Sequence, residues 1–177
     1  DGAIEEGAFY ESLNFAVVKG LPALYFCENN FYSVYSSLEV RQPFKRSNLN
    51  LANSIGAYSI GGDGNCALSA YKKIKKAISY CRNNNKPVFL ELNTYRWLEH
   101  CGPNYDNHLN YRPREEVEYW MNKDPLKKLE GKLNKTEKIQ YLEYCSLLDE
   151  EIKNAFEIAK SASPPNSEFI NKQIYAN

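Results

Sequence analysis

The chain has 177 residues, which is enough for one domain of ordinary size. Its 22 Lys and Arg residues balance its 22 Asp and Glu residues, so charge gives no reason to expect a nucleic acid or an acidic membrane surface as partner. No apolar run approaches the roughly 18 residues that indicate a membrane span. The five cysteines are scattered without a Cys-x-x-Cys pair, a pattern that indicates reduced thiols rather than disulfides or a zinc site.

The first predicted elements are a helix over 5–19 and a strand over 23–27. Apolar residues recur along the helix at the spacing of one buried face; they are Phe9, Leu13, Ala16 and Val17. Gly20 and Pro22 end this helix. The short apolar run that follows is typical of a parallel strand covered on both faces.

The middle of the chain contains two more predicted strands, over 57–60 and 88–92, with a helix over about 66–82 between them. The polar stretch 31–54 is predicted to be a long, partly mobile loop with a short helix. A glycine-rich turn over 61–65 is expected before the helix. The expected inner face of that helix consists of Leu68, Tyr71, Ile74, Ile78 and Cys81, and the outer face of Lys72, Lys73, Lys75 and Lys76.

From residue 113 onward the pattern is helical. We expect helices over 114–122, around 125–132 and over 135–161, and then a short helix and tail over 166–177. The alternation of strand, helix and strand implies right-handed crossovers. The predicted fold class is therefore α/β: a doubly wound, mostly parallel sheet flanked by helices, in one domain over 1–177 whose part from 113 onward is mainly helical.

Polar residues stand where a phosphate and a metal ion would bind. Gly2 lies in a turn before the first helix, whose amino end would direct N–H groups and a positive dipole at a phosphate. Asp1 and Asn30 offer oxygen ligands of the kind that magnesium takes, and Asn30 follows the first strand, at the edge where α/β sheets bind ligands. The alternative is an ordinary turn at Asn30 and an ordinary cap at Asp1.

The spacing resembles the thiamine-diphosphate signature, Gly-Asp-Gly followed at a distance by Asn-Asn. Further short matches occur in the order of one family: Glu6 to Ala16, Leu21 to Asn30, Asp63-Gly64-Asn65, Thr94-Tyr95-Arg96 with His100, Tyr111-Arg112 with Glu115-Glu116-Val117, Asp124-Pro125 and Pro164-Pro165. Nearly the whole chain thus resembles the alpha subunit of thiamine-diphosphate-dependent 2-oxo acid dehydrogenases. Because the signature begins here at Asp1, we expect the chain to be the carboxyl-terminal part of a longer subunit.

The resemblance implies a thiamine-diphosphate-binding fold and a role for several residues. Asp1 and Asn30 correspond to the side-chain ligands of Mg²⁺, and the backbone carbonyl of Tyr32 completes the protein's share. Gly2 and Ala3 correspond to backbone donors to the cofactor diphosphate.

His100 corresponds to a loop histidine that contacts the diphosphate and assists proton handling and acyl transfer, a use that suits an imidazole whose pKa lies near neutral pH. Taken without the family, a histidine after a strand is more often a hydrogen-bonded structural residue.

The loop over 101–110 departs from the family pattern. Cys101 stands where mitochondrial members carry a phosphorylated serine, so control by a kinase at this position is not expected. Cys101 is interpreted as a spectator thiol, with a redox role as the alternative, and His108 as a solvated residue.

Two arginines and two tryptophans flank the same loop. Arg96 and Arg112 resemble arginines that order this region, or they serve only as ion-pair partners. Trp97 and Trp120 are interpreted as core or interface residues.

The implied activity is oxidative decarboxylation of a 2-oxo acid with transfer of the acyl group to a lipoyl acceptor. The implied partners are a beta subunit, in an α₂β₂ heterotetramer, and a lipoyl acyltransferase. The implied compartment is the cytoplasm of a bacterium or the mitochondrial matrix of a eukaryote. Acetoin-type or other carbon–carbon cleavage remains open, as does a non-catalytic structural paralogue. A nucleotide-binding Rossmann domain is disfavoured because no Gly-x-Gly-x-x-Gly follows a strand.

Overall fold

The computed structural model describes residues 1–167 and has helices on both faces of a parallel sheet. A 3₁₀ turn over Gly2–Glu5 comes first. The remaining elements are α1 (Gly7–Lys19), β1 (Leu24–Asn29), β2 (Tyr32–Ser33), β3 (Ser36–Ser37), α2 (Leu38–Arg41), α3 (Asn48–Ile55), β4 (Tyr58–Asp63), α4 (Ala67–Asn84), β5 (Val88–Asn93), a 3₁₀ turn over Asn107–Leu109, α5 (Arg114–Met121), α6 (Pro125–Glu130) and α7 (Lys135–Ser161).

The sheet has the strand order β1-β5-β4, and all three strands run parallel. Side chains of the central strand β5 alternate between two apolar layers. Phe89 packs with α1 and α3 on one face, whereas Val88 and Leu90 pack with α4 on the other. All three side chains are at most 1% exposed. The predicted doubly wound α/β arrangement is confirmed over the described residues.

The first helix begins later than predicted. Residues Gly2–Glu5 form a separate 3₁₀ turn, and Glu6 is extended before α1 begins at Gly7. The amino end of α1 therefore does not include Gly2, and the turn at the chain start has its own short run of N–H groups. The helix ends as predicted at Gly20, whose φ of 62° is the left-handed conformation that glycine adopts most easily.

The stretch 31–54 contains more regular secondary structure than the predicted loop. It contains the small antiparallel ladder of β2 and β3 and the two helices α2 and α3. The Ser47 hydroxyl accepts a hydrogen bond from the N–H of Asn50 and so caps α3. Part of the predicted turn over 61–65 is also wrong, because β4 continues to Asp63 by pairing with β5.

Helix α4 buries only part of the predicted face. Cys81 is buried and Ile74 packs against the core, as predicted. Leu68 and Tyr71 are instead 48% and 63% exposed, and Ala77, which was not predicted, is fully buried. The small side chain of Ala77 lets the helix lie close to the strands, and this selects the buried stripe. Lys73 is not simply solvated either: its Nζ donates to the carbonyl of Gly61 at 2.7 Å.

The three predicted helices after residue 113 are confirmed as α5, α6 and α7. A capping box starts α7, since the Asn134 side chain accepts from the N–H of Glu137 and the Glu137 carboxylate accepts from the N–H of Asn134.

The chain divides into two compact units, the first over 1–129 and the second from Glu130 onward. No helix within residues 1–167 is long and apolar enough to cross a membrane. The segment predicted over 166–177 lies almost wholly outside the described residues.

Candidate functional site

The three parallel strands end in one row at one edge of the sheet. Asn29, Asn93 and Asp63 occupy equivalent positions in the register of β1, β5 and β4. The start of the chain lies at the same edge, because the Oδ1 atom of Asp1 accepts a hydrogen bond from the N–H of Asn30 at 3.2 Å. Two residues 29 positions apart in sequence are thus adjacent, as the spacing predicts.

The turn after β1 is built from consecutive side-chain to backbone hydrogen bonds. Asn29 Oδ1 accepts from the N–H of Phe31, and Asn30 Oδ1 accepts from the N–H of Tyr32, each at 3.1 Å. Phe31 has a φ of 69°, an uncommon conformation for a bulky side chain. This geometry brings Asp1, Asn30 and the backbone of Tyr32 together, which are the three predicted metal-ligating residues.

An arginine that the sequence analysis did not single out contacts the Asp1 carboxylate. Arg41 forms an ion pair with the Oδ2 atom of Asp1, whose side chain is 2% exposed, and a second ion pair with Glu5 at 2.6 Å. Burial works to raise the pKa of Glu5, but hydrogen bonds from Arg41 and Gln42 outweigh it and hold that pKa below its ordinary value. Nothing in the local sequence around Arg41 signals this contact, because the two ends of the ion pair come from separate segments.

Gly2 lies too close to the β2 strand for any other residue. A Cβ atom at this position would lie 2.6 Å from the Oγ of Ser33 and 2.9 Å from its Cβ. Gly2 and Ala3 open the 3₁₀ turn, and the first N–H groups of a helical turn lack partners within it. The predicted diphosphate donors therefore stand beside the turn that holds Asn30.

The donor set at this edge suits a hard divalent cation. It consists of one carboxylate, one side-chain amide oxygen and one backbone carbonyl, and Mg²⁺ binds such oxygen atoms with few protein ligands when phosphate and water supply the others. Within residues 1–167 there is no group of three or more His, Cys, Asp or Glu residues that would hold a metal without such help. The oxygen atoms of Asp1, Asn30 and Tyr32 therefore fit Mg²⁺ whose remaining ligands come from phosphate and water.

An aromatic cluster lies next to the Asn30 turn. The hydroxyl groups of Tyr32 and Tyr95 both donate to the Oε1 atom of Glu116, at 2.9 and 2.8 Å. Burial, followed by the bond to Glu116, raises the pKa of Tyr32 to about 12. Trp120 stacks on Tyr95 with 5.5 Å between ring centroids, and Trp97 packs against the same cluster. Both tryptophans are half-buried, so their interpretation as core or interface residues stays a prediction.

The two predicted loop arginines meet on one buried carboxylate. Arg112 forms an ion pair with Asp106, and their side chains are 1% and 3% exposed. Arg96 lies 3.9 Å from the same carboxylate, and the hydroxyl of Tyr111 donates to it at 2.7 Å. Arg112 also donates to the carbonyl of Arg96. The arginines therefore fix the two ends of the loop, and Asp106 is the residue that the sequence analysis missed.

His100 lies in the exposed part of that loop. Beside it, the Glu99 carboxylate accepts a hydrogen bond from the side-chain amide of Asn104 at 2.8 Å, and this bond links the two ends of the segment 99–104. None of the hydrogen bonds among the described residues joins His100 to Asp1 or Asn30. Cys101 and His108 are also exposed. All five cysteines are free thiols, as predicted.

Comparison with known proteins gives consistent matches along the chain. The sequence model of the family described as dehydrogenase E1 component matches residues 1–168. The pyruvate dehydrogenase E1 component subunit alpha of Rickettsia bellii is 33% identical over 178 residues, which cover 99% of this chain and 53% of that protein. A testis-specific, mitochondrial form of the same subunit from Homo sapiens is 30% identical, over 100% of this chain and 45% of its own.

A relative with a different named substrate is also similar. The mitochondrial 2-oxoisovalerate dehydrogenase subunit alpha 1 of Arabidopsis thaliana is 32% identical over 128 residues, covering 71% of this chain and 26% of that protein. The chain spans about half the length of the pyruvate-type relatives that it matches.

Proposed function

The chain belongs to the dehydrogenase E1 component family, and from that premise we propose that it serves as the alpha subunit of a thiamine-diphosphate-dependent 2-oxo acid dehydrogenase. The family uses thiamine diphosphate. We further propose that Mg²⁺ joins the cofactor to this chain, that a beta subunit completes an α₂β₂ heterotetramer, and that a lipoyl group on an acyltransferase accepts the acyl product. The compartment would be the cytoplasm in a bacterium and the mitochondrial matrix in a eukaryote.

The observation that carries the proposal is the contact between the chain start and the Asn30 turn. Asp1 accepts from the N–H of Asn30 at 3.2 Å, and Asn30 accepts from the N–H of Tyr32 at 3.1 Å. We assign the Asp1 carboxylate, the Asn30 side-chain oxygen and the Tyr32 carbonyl to the metal ion. The N–H groups of Gly2 and Ala3 would donate to the diphosphate.

Thiamine diphosphate, when bound, supplies the nucleophilic carbon and the electron sink for loss of carbon dioxide. The residues of this chain anchor its diphosphate end and so orient its reactive end. His100 is assigned to diphosphate contact and to moving a proton during acyl transfer, for which an imidazole is suited because it can both donate and accept near neutral pH. This role requires the 99–104 segment to bring His100 toward the sheet edge when the site is filled.

The substrate class follows from the relatives taken together. They are named for pyruvate and for 2-oxoisovalerate, and both names describe 2-oxo acids. We therefore propose a 2-oxo acid as substrate.

The proposal is tested by cofactor binding to the full-length subunit assembled with its beta partner. We expect thiamine diphosphate to bind with Mg²⁺ and not in EDTA, because the metal neutralises the diphosphate between Asp1 and Asn30. Asn30→Ala should lower the affinity while the protein stays folded, with only the small fall in melting temperature that loss of the Tyr32 N–H bond explains. Asn83→Ala, at an exposed position on α4, is the control and should bind like the parent.

Binding of equal strength in EDTA would refute the metal assignment. Decarboxylation assays with pyruvate, branched 2-oxo acids and acetoin then define the substrate. A heterotetramer that binds the cofactor but turns over none of them would be a non-catalytic paralogue.

A further inference from the structure

A charged side chain lies on the central strand of the sheet, where neighbouring positions are apolar. Glu91 belongs to β5 and points to the same side as Phe89, toward α3. Its Oε1 atom accepts two hydrogen bonds, from the Nδ2 of Asn29 at 2.8 Å and from the Nδ2 of Asn48 at 2.9 Å. A carboxylate in a covered parallel sheet needs such partners, and both of them come from other elements.

Asn29 connects this carboxylate to the backbone of the turn. Its side chain donates to Glu91 through Nδ2 and accepts from the N–H of Phe31 through Oδ1. The two bonds fix the orientation of the amide, since the nitrogen must face the carboxylate and the oxygen must face the N–H. Asn29 is 6% exposed, so water has little access to replace either partner.

The turn held in this way is strained. Phe31 has a φ of 69°, a conformation that persists in a bulky residue only where the surroundings impose it. The bond from the N–H of Phe31 to Asn29 is one of the contacts that impose it. The same turn presents Asn30 to Asp1.

Asn48 is the second residue that holds Glu91. It lies at the start of α3, is 5% exposed, and donates to Glu91 through Nδ2. Its Oδ1 atom is buried and has no hydrogen-bond partner within the described residues. Asn48 and Asn29 therefore donate to the same Glu91 oxygen, and together they fix its position.

We propose that Glu91 is a positioning residue, which acts through Asn29 to hold the Asn30 turn in the geometry that binds the metal–diphosphate. This inference rests on the proposed function. Partners behind a metal ligand typically change metal affinity by about 10–100-fold when they are removed. Glu91 reaches the ligand through one residue and makes no contact with the metal-binding atoms themselves.

The experiment measures the free Mg²⁺ concentration that gives half-maximal binding of thiamine diphosphate to the full-length heterotetramer. Glu91→Ala should raise this concentration about 10–100-fold. Asn29→Ala tests the same chain of contacts at its other end and should have a similar effect. Glu91→Gln should stay close to the parent, because its carbonyl oxygen can accept from Asn29 while its amide donates to the unpaired oxygen of a reoriented Asn48.

Thr94→Val is the matched control. Thr94 follows the same strand, and its hydroxyl donates to Asn65 at 2.9 Å. Its N–H donates to the carbonyl of Asn29, and valine keeps that backbone bond, so the substitution removes only a contact outside the Asn29 side chain. This variant should lower the melting temperature slightly and leave the Mg²⁺ concentration for half-saturation unchanged. The melting temperature of every variant, measured without cofactor, separates loss of fold from loss of positioning.

Two results would overturn the inference, and they are distinguishable. If the parent binds the cofactor equally well in EDTA, the proposed metal site fails and the role of Glu91 fails with it. If the parent requires Mg²⁺ but Glu91→Ala and Asn29→Ala keep the parental half-saturation, Glu91 is structural and the proposed function stands.

Discussion

Among single residues, His100 has the most specific proposed role, and its side chain is exposed. We expect His100→Ala to reduce acyl transfer to a lipoyl acceptor by about 10²–10⁴-fold, the range typical of a positioned acid–base group. The measurement is lipoyl-dependent turnover by the assembled heterotetramer, with its oligomeric state checked by light scattering.

The chain offers a matched control for this prediction. His108 lies eight positions further along the same loop and is also exposed. His108→Ala should keep parental turnover. Full lipoyl-dependent activity in His100→Ala would show that His100 is structural or solvated and would remove the catalytic assignment.

A second prediction at this scale concerns the buried ion pair between Arg112 and Asp106. Asp106→Ala leaves the Arg112 guanidinium without its carboxylate in a site that water does not reach, because both side chains are at most 3% exposed. We expect a loss of about 3–5 kcal/mol in the free energy of unfolding. Chemical denaturation followed by tryptophan fluorescence measures it, since Trp97 and Trp120 pack in the adjacent cluster.

The control is the exposed ion pair between Arg114 and Glu118, whose side chains are 87% and 56% exposed. Water and salt screen such a pair, so Glu118→Ala should change the free energy of unfolding by no more than about 0.5 kcal/mol. Equal losses in the two variants would contradict the distinction between buried and exposed pairs.

At the scale of elements, the loop over 101–110 has one buried residue, Asp106, directly next to an exposed one, Tyr105. Asp106 is 2% exposed, whereas Tyr105 is 56% exposed. A segment that is exposed and rich in Gly, Pro and Asn is the usual target of proteases. We expect chymotrypsin to cleave the cofactor-free heterotetramer at Tyr105, and thiamine diphosphate with Mg²⁺ to suppress that cleavage if His100 moves onto the diphosphate.

Mass spectrometry of the digest identifies the cut. Tyr111 serves as an internal control, because it is half-buried and its hydroxyl donates to Asp106. Cleavage at Tyr105 that proceeds equally fast with and without cofactor would show that the loop does not respond to the site.

At the scale of the whole molecule, we expect the buried phenols of Tyr32 and Tyr95 to make the stability of the folded protein fall at alkaline pH. The pKa of Tyr32 is raised to about 12 in the folded chain, and that of Tyr95 is also raised, in both cases by burial and by the bond to Glu116. The folded state therefore holds these protons more tightly than the unfolded state, where tyrosine titrates near 10. The contribution of Tyr32 is complete below pH 10 and is lost between pH 10 and about 12.

Thermal unfolding at intervals from pH 8 to 12 tests this dependence. Tyr32→Phe should flatten the fall in melting temperature above pH 10. Tyr105→Phe, at an exposed position, should keep the parental slope. Parental behaviour in both variants would mean that the Tyr32 phenol does not stay protonated in the folded state.

The local sequence by itself determined most helices and strands. The spacing of apolar residues and the positions of Gly and Pro predicted five elements within a few residues of their observed bounds: α5, α6, α7, β1 and β5. These elements depend on local apolar spacing and on residues that end a helix, as Gly20 does for α1. The resemblance to the thiamine-diphosphate signature likewise predicted that Asp1 and Asn30 would lie close together, and the structure shows them joined by a hydrogen bond.

Only the tertiary structure decided which side chains complete the site. Three contacts join separate segments of the chain, and no local sequence pattern encodes them. They are the ion pair of Arg41 with Asp1, the hydrogen bond between Asn29 and Glu91, and the contacts of Asp106 with Arg96 and Arg112. The buried face of α4 was decided in the same way. Ala77 rather than Tyr71 faces the sheet. The closeness of packing between the helix and the strands, and not hydrophobicity alone, determines which face of the helix is buried.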